Sequence, residues 1–488
     1  MSLPGAVLTR SRTLDFQTVK RAGQSGEHGW RRFIYFLFVY MTFEGLLRRS
    51  LPALNLQILL LKDVALFFFY GYFALCVYPN LSTWRKRDFW LTGLGVCFVL
   101  VNLIELARIR PDTVLPIIIA LKANFWYVPI FFIGRRYFST YRQIRQFWCG
   151  MAWILVPVVC VGMWQVLFGQ FTTYGAPTGP VDAETWAAAG SGSLRNNTDE
   201  TLIATVASTF FGGRLAEFAA IWLLFTVALC ISGENKRSFL RMPHLYIALA
   251  CAAVSLFISA NRTAVGMSVV CAALLLVSAG RRSVRVLARL ATVVLLAGML
   301  AGLYQTTSTS DSLERQFHSF TSFFSGLLDA AGPDVRGSRY SVVGTDIVRG
   351  IQLSIEEVGP FGGGLGLMTQ GAIYVDPNAH GVLDLVKGGD GQTDSQWVRL
   401  IAELGIAGLL LYLAIVARLL WVSTRQALRT RRKSWVDGLT AALAPVLLLL
   451  YLGFAHKHAG FAIDPMFQCY VYFTLGAVLG VAARDVTT

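Results

Sequence analysis

Arginine grips anions through a planar fork of donors, and three arginines of this chain lie in stretches that an anionic group could reach. Arg262 sits in the turn Ser259-Ala260-Asn261-Arg262-Thr263, between two apolar runs and with no acidic neighbour in sequence. Arg339 and Arg349 belong to residues 339–358, where Tyr340, Val343, Ile347, Ile351 and Ile355 recur at helical spacing. That periodicity predicts an amphipathic helix lying on a membrane surface, ended by Gly359-Pro360. At about 100° per residue Arg339, Asp346 and Arg349 share one broad face, so two guanidinium groups could converge on one anion. The competing reading is a solvated face that pairs with lipid headgroups, and for Arg262 it is snorkelling to lipid phosphate.

Other side chains extend the inventory. Asp394, in Asp394-Ser395-Gln396-Trp397, is a carboxylate placed ahead of the run Ala402-Glu403-Leu404-Gly405-Ile406-Ala407-Gly408-Leu409 and is the candidate general base. His380, fourteen residues earlier, is a second candidate if its loop folds back. His456, Lys457 and His458 with Asp464 invite a zinc reading, but an i, i+2 spacing puts the two histidines on different helical faces. A polar rim is the better reading, and neither a metal nor a cofactor is expected. Phe361-Gly362-Gly363-Gly364-Leu365-Gly366 lets backbone approach a ligand or another segment closely, with Gly363 and Gly364 at its centre. It lacks the strand, helix and Lys/Ser context of a phosphate-binding loop, which argues against nucleotides.

The elements that must position these groups are membrane helices. The chain has 488 residues, 55% hydrophobic and 15% charged, well below the quarter or so that is usual in soluble domains. Apolar runs of the length that crosses a hydrocarbon core, roughly 20 residues, recur from Phe33 almost to the end. The expected fold is an all-α polytopic membrane protein of about 12 transmembrane helices with a large external loop. The spans read 33–47, 54–78, 89–107, 114–134, 147–169, 215–232, 245–260, 263–280, 286–304, 397–420, 439–455 and 465–483. Residues 1–32 form a basic cytoplasmic tail without the apolar core of a secretory signal, 33–304 hold the first nine spans, 305–396 the large loop, 397–483 the last three spans, and 484–488 a second cytoplasmic tail.

Basic clusters set the orientation, because positively charged loops stay in the cytoplasm. Trp84 to Arg87, Arg135-Arg136 with Arg142 and Arg145, Lys236-Arg237, Arg281-Arg282 with Arg285, and Arg429 to Lys433 all fall inside when the N-terminus does. The net charge of +15 is then mainly a topology signal and speaks against nucleic-acid binding. All eight cysteines fall in predicted spans, so the external loops carry no disulfide framework. Lys62, Asp63 and Lys122 are costly in lipid and must face the bundle interior, with Asp63 reaching Lys122. Arg399 and Glu403, four residues apart, are expected to form an ion pair.

An Arg-Thr turn at a mid-chain boundary, a long loop with an arginine-headed helix, Pro360-Phe361-Gly362-Gly363-Gly364-Leu365-Gly366, and a polar pair before the Ala402-Glu403-Leu404-Gly405 helix resemble, in that order, the O-antigen ligase and polymerase family of polytopic C-type glycosyltransferases. The resemblance covers roughly residues 245–420. It implies an enzyme of the bacterial cytoplasmic (inner) membrane that joins repeat units of O-antigen or exopolysaccharide at the periplasmic face. Its donor would be an undecaprenyl-pyrophosphate-linked oligosaccharide and its acceptor a glycan, with membrane lipids and a chain-length regulator or export machinery as partners. Arg262, Arg339, Arg349 and Arg336 would hold the pyrophosphate, Asp394 would face the attacking hydroxyl, and His380, His456 and His458 could touch acceptor glycan. The ligase branch carries His-Asn where this chain has Asp394-Ser395, which favours polymerase over transfer to a lipid A core. A secondary transporter or lipid-linked-glycan flippase, with Lys62, Asp63 and Lys122 as coupling residues, is the alternative of another class. A peptidoglycan polymerase of the shape-and-division type resembles the chain less.

Overall fold

The structure, a computed structural model, describes residues 29–47, 51, 54–77, 89–106, 114–168, 214–232, 242–258, 262–279, 339–366, 395–457 and 464–484. These residues are organised as helices, with no strand among them. In chain order they are α1 (29–47), α2 (Asn55–Tyr72, prolonged by a π-helical turn Phe73–Val77), α3 (Phe89–Leu106), α4 (Val114–Phe125), α5 (Pro129–Tyr137), α6 (Tyr141–Met151) and α7 (Leu155–Phe168). There follow α8 (Arg214–Ser232), α9 (Met242–Ile258), α10 (Arg262–Ala279), α11 (Arg339–Val358), α12 (Gln396–Lys433), α13 (Trp435–Lys457) and α14 (Pro465–Arg484).

Helices are the expected solution for such apolar runs, since a helix satisfies each backbone N–H and C=O within the segment and needs no water to do so. Among the described residues, six stretches are long and apolar enough to cross a membrane: Ile117–Tyr137, Tyr141–Met163, Leu215–Ser232, Gln396–Lys433, Trp435–His456 and Pro465–Arg484. Phe89–Glu105, His244–Leu256 and Ala264–Ala279 are apolar but shorter. The chain is therefore a multi-pass membrane protein. Large apolar side chains cover its outside, including Phe67, Phe68, Leu75, Phe89 and Trp90, a surface suited to hydrocarbon and costly in water.

Three spans differ clearly from the predicted bounds, the one expected at 397–420 because α12 continues to Lys433. The stretch expected at 114–134 runs on to Tyr137 through a turn at Trp126–Val128, with Pro129 opening α5 where its missing N–H costs nothing. The stretch expected at 147–169 begins at Tyr141, because Thr140 caps α6 by accepting a hydrogen bond from the Gln143 amide at 3.3 Å. Hydropathy alone leaves out this first turn and a half, since it carries Arg142, Gln143 and Arg145. Arg145 is buried there and donates to Asp437 at 2.7 Å and Thr440 at 2.9 Å, which joins α6 to α13.

α8 is central, and its whole apolar window is buried against α9, α10, α13 and α14. α14 meets α5 at backbone distance. Gly476 and Gly480, one turn apart, face the carbonyls of Phe131 and Arg135, and Gly134 faces that of Phe473, with no room for a β-carbon at any of the three. Arg484 then closes the C-terminal end of α5, donating to the carbonyls of Phe138 at 2.8 Å and Arg135 at 3.2 Å. Gly476→Leu is expected to force these helices apart and destabilise the protein by about 3 kcal/mol, as overpacking does. A lowered thermal unfolding midpoint in detergent checks it; an unchanged midpoint would show that the close approach is dispensable.

Candidate functional site

The glycine cluster is docked, although Phe361 and Gly363 stay exposed. α11 leads directly into it, and the turn it makes docks against a break in α12. At Gly405 the backbone adopts φ 68° and ψ −171°, which only glycine takes up readily, and this separates an upper half-helix, residues 396–404, from the remainder of α12. A break frees backbone groups that hydrocarbon cannot satisfy. The turn supplies the partners: the Gly363 N–H donates to the Ala402 carbonyl at 2.8 Å, and the Ile406 N–H donates to the Pro360 carbonyl at 3.0 Å. A β-carbon on Gly362 would lie 2.6 Å from the Gly405 nitrogen and 2.8 Å from the Glu403 oxygen, so glycine is required on both sides of the contact. Leu365 anchors the far end of the turn among Phe98, Ile117, Ala120, Leu400 and Leu404 of α3, α4 and α12.

A buried polar chain crosses the same half-helix. Arg399 and Glu403 are almost completely buried, with Nε 3.3 Å from Oε2, so each charge is matched by its neighbour one turn away. Arg399 Nη2 donates to Asn124 Oδ1 on α4, Asn124 Nδ2 donates to Asn102 Oδ1 on α3 at 3.2 Å, and Asn102 Nδ2 donates to the Phe98 carbonyl at 2.8 Å. The ion pair is legible from its i, i+4 spacing. Asn102 and Asn124 are not, because Arg399 lies 275 residues from Asn124, Asn102 is linked to it only through Asn124, and asparagine in an apolar run has no local signature.

Lys62, Asp63 and Lys122 pair as well. Lys122 contacts Asp63, as expected. Lys62 instead finds Glu44 of α1 at 2.7 Å, both side chains being buried. The only sequence clue to Glu44 is that it is an acid inside an otherwise apolar helix. These pairs join α1, α2 and α4 and leave no bare charge on any of the four side chains, which suits helix association.

The predicted site residues fall into three groups. Gly363 and Gly364 lie in the docked turn, and α11 has the predicted bounds. Arg262 is the first residue of α10 and Arg339 the first of α11, with Arg349 in the third turn of α11; these three are placed by their backbone. His456 accepts a hydrogen bond from the Trp397 indole at 3.2 Å, on the end of α12 that follows the candidate base. Asp464, expected in a polar rim, is buried and caps α14, accepting from the amides of Met466 at 2.9 Å and Phe467 at 3.1 Å. Arg336, His380, Asp394 and His458 lie outside the described residues, Asp394 immediately before Ser395, whose hydroxyl accepts from the Trp397 amide at 3.3 Å and caps α12.

Among the described residues no group of three His, Cys, Asp or Glu side chains is gathered for a metal. The geometry brings the glycine turn, Glu403 and Arg399 into one unit and sets an arginine at the head of the helix that carries the turn. Compared with known families and with curated proteins, the chain matches no family model and no curated protein.

Proposed function

We propose that this protein is a polysaccharide polymerase that joins undecaprenyl-pyrophosphate-linked repeat units at the periplasmic face of a bacterial inner membrane. In this reading the chain crosses about twelve times with both termini inside, and residues 305–396 face the periplasm. The observation that carries it is the docking of the glycine turn onto Gly405. Two motifs some forty residues apart in the chain, each needed for the resemblance to O-antigen ligases and polymerases, meet there backbone to backbone.

The chemistry follows from charge. An acceptor hydroxyl attacks the anomeric carbon of the donor and forms a glycosidic bond, while the bond to the pyrophosphate breaks and the diphosphate leaves with the electron pair. Asp394 takes the hydroxyl proton. Arg262 and Arg339, with Arg349 and Arg336, stabilise the growing negative charge. The placement of Arg262 and Arg339 supports this role: a cation at a helix N-terminus opposes the macrodipole, whereas an anion there is attracted both by the arginine and by the N–H groups of the first turn.

Purified protein in liposomes with lipid-linked repeat units as the only glycan is expected to yield a ladder of lengthening products. Transfer to an added lipid A core without lengthening would favour a ligase. No product with either acceptor would reject both enzymatic readings and favour transport.

A further inference from the structure

We infer that Asn124 and Arg399 are positioning residues that hold the half-helix 396–404 at a fixed angle to α4, and so set the direction of its Ser395-capped end. The inference rests on the polymerase reading. The half-helix spans only about 13 Å at 1.5 Å per residue, and at Gly405 it is hinged to the rest of α12. A helix this short has little stability of its own, so its direction is set by what it touches.

Three contacts do this. At its base the glycine turn takes the Ala402 carbonyl. On its flank Leu400 and Leu404 pack with Phe98, Ile117 and Ala120, a contact that tolerates sliding. The third is directional: Arg399 donates to Asn124, which is backed by Asn102, and this ties the half-helix to α4 as the Trp397 indole, through His456, ties it to α13. Glu403, on the half-helix itself, neutralises Arg399. A full buried charge is retained where a leucine would pack more cheaply, and hydrogen-bond direction is what the charged group adds. Ser395 caps the N-terminal end, and Asp394 precedes it in sequence.

The test is Asn124→Ala in the full-length protein in liposomes, with two readouts. Polymer formation is expected to fall about a hundredfold in kcat, the scale of a misplaced catalytic group, with KM for the lipid-linked donor near its original value. Hydrogen exchange is expected to quicken in residues 396–404 and to stay unchanged in the lower part of α12. Unaltered exchange in 396–404 would overturn the inference whatever the activity does, and quickened exchange with unaltered kcat would overturn it equally. If the unsubstituted protein forms no polymer, the polymerase reading fails, and exchange alone decides whether Asn124 holds the half-helix. Should Asn124→Ala fail to accumulate, Asn102→Ala removes only the outer link and carries the same comparison, with a smaller change of the same sign.

Discussion

Arg262→Ala is expected to lower polymer formation by roughly a hundred- to a thousandfold while the protein inserts at its normal level, the size of effect seen when one donor to a developing anion is removed. In the proposed reaction the leaving pyrophosphate gains charge as its bond to the anomeric carbon breaks, so a contact to it counts for more in the transition state than in the bound substrate, and the loss belongs in kcat. The usual objection to an alanine variant is that it unfolds the protein. Here the physics runs the other way. As the first residue of α10, Arg262 places a positive charge at the positive end of a helix, an arrangement that costs about 0.3–1 kcal/mol. Alanine at that position should leave α10 as stable or more so. Arg339 heads α11 and carries the same expectation, and Asp394→Ala should abolish product through loss of the base. Arg262→Lys keeps the charge but not the two-pronged geometry and should fall between. Full polymer ladders from the Arg262→Ala, Arg339→Ala and Asp394→Ala proteins would reject the site.

Gly405→Val is expected to destabilise the protein by about 3 kcal/mol and to eliminate activity. Valine is a good residue for a membrane helix, so if the break were incidental this change would straighten α12 and stabilise it. The structure requires the opposite result. A β-carbon at 405 would meet the Phe361 carbonyl carbon at 2.5 Å and its α-carbon at 2.8 Å, and straightening α12 would deprive the Pro360 carbonyl of its donor. Thermal unfolding in detergent, with hydrogen exchange over residues 359–366, distinguishes the two outcomes. A raised midpoint would show that the glycine turn does not depend on the break.

What could be read from the residues follows the range of the forces involved. The 339–358 helix was legible because its apolar period and its Gly-Pro stop are local, and Arg399 with Glu403 because they sit one turn apart. The break at Gly405 was not: glycine is common in membrane helices, and nothing in Ala402 to Leu409 signals that another segment fills the gap. The glycine cluster announced a close approach but not its partner, which is set by packing against α3, α4 and α12. Lys62 shows the same limit, since a buried ammonium demands a carboxylate yet does not say which. The start of α6 was hidden because its polar first turn is stabilised by Asp437 and Thr440 of α13. Of the site, the two helix-heading arginines and the glycines are placed by their backbone.

The contact between Gly362 and Gly405 also constrains the order of assembly. Chains are made from the N-terminus, so α11 and its glycine turn leave the ribosome before the helix into which the turn fits. Until α12 is in the bilayer, the backbone groups at Pro360 and Gly363 must be served by water, and the amphipathic α11 can wait at the interface, apolar face down. Docking is then a late event in biogenesis, and the arginine-headed helix takes its working position only once the membrane-embedded frame is complete.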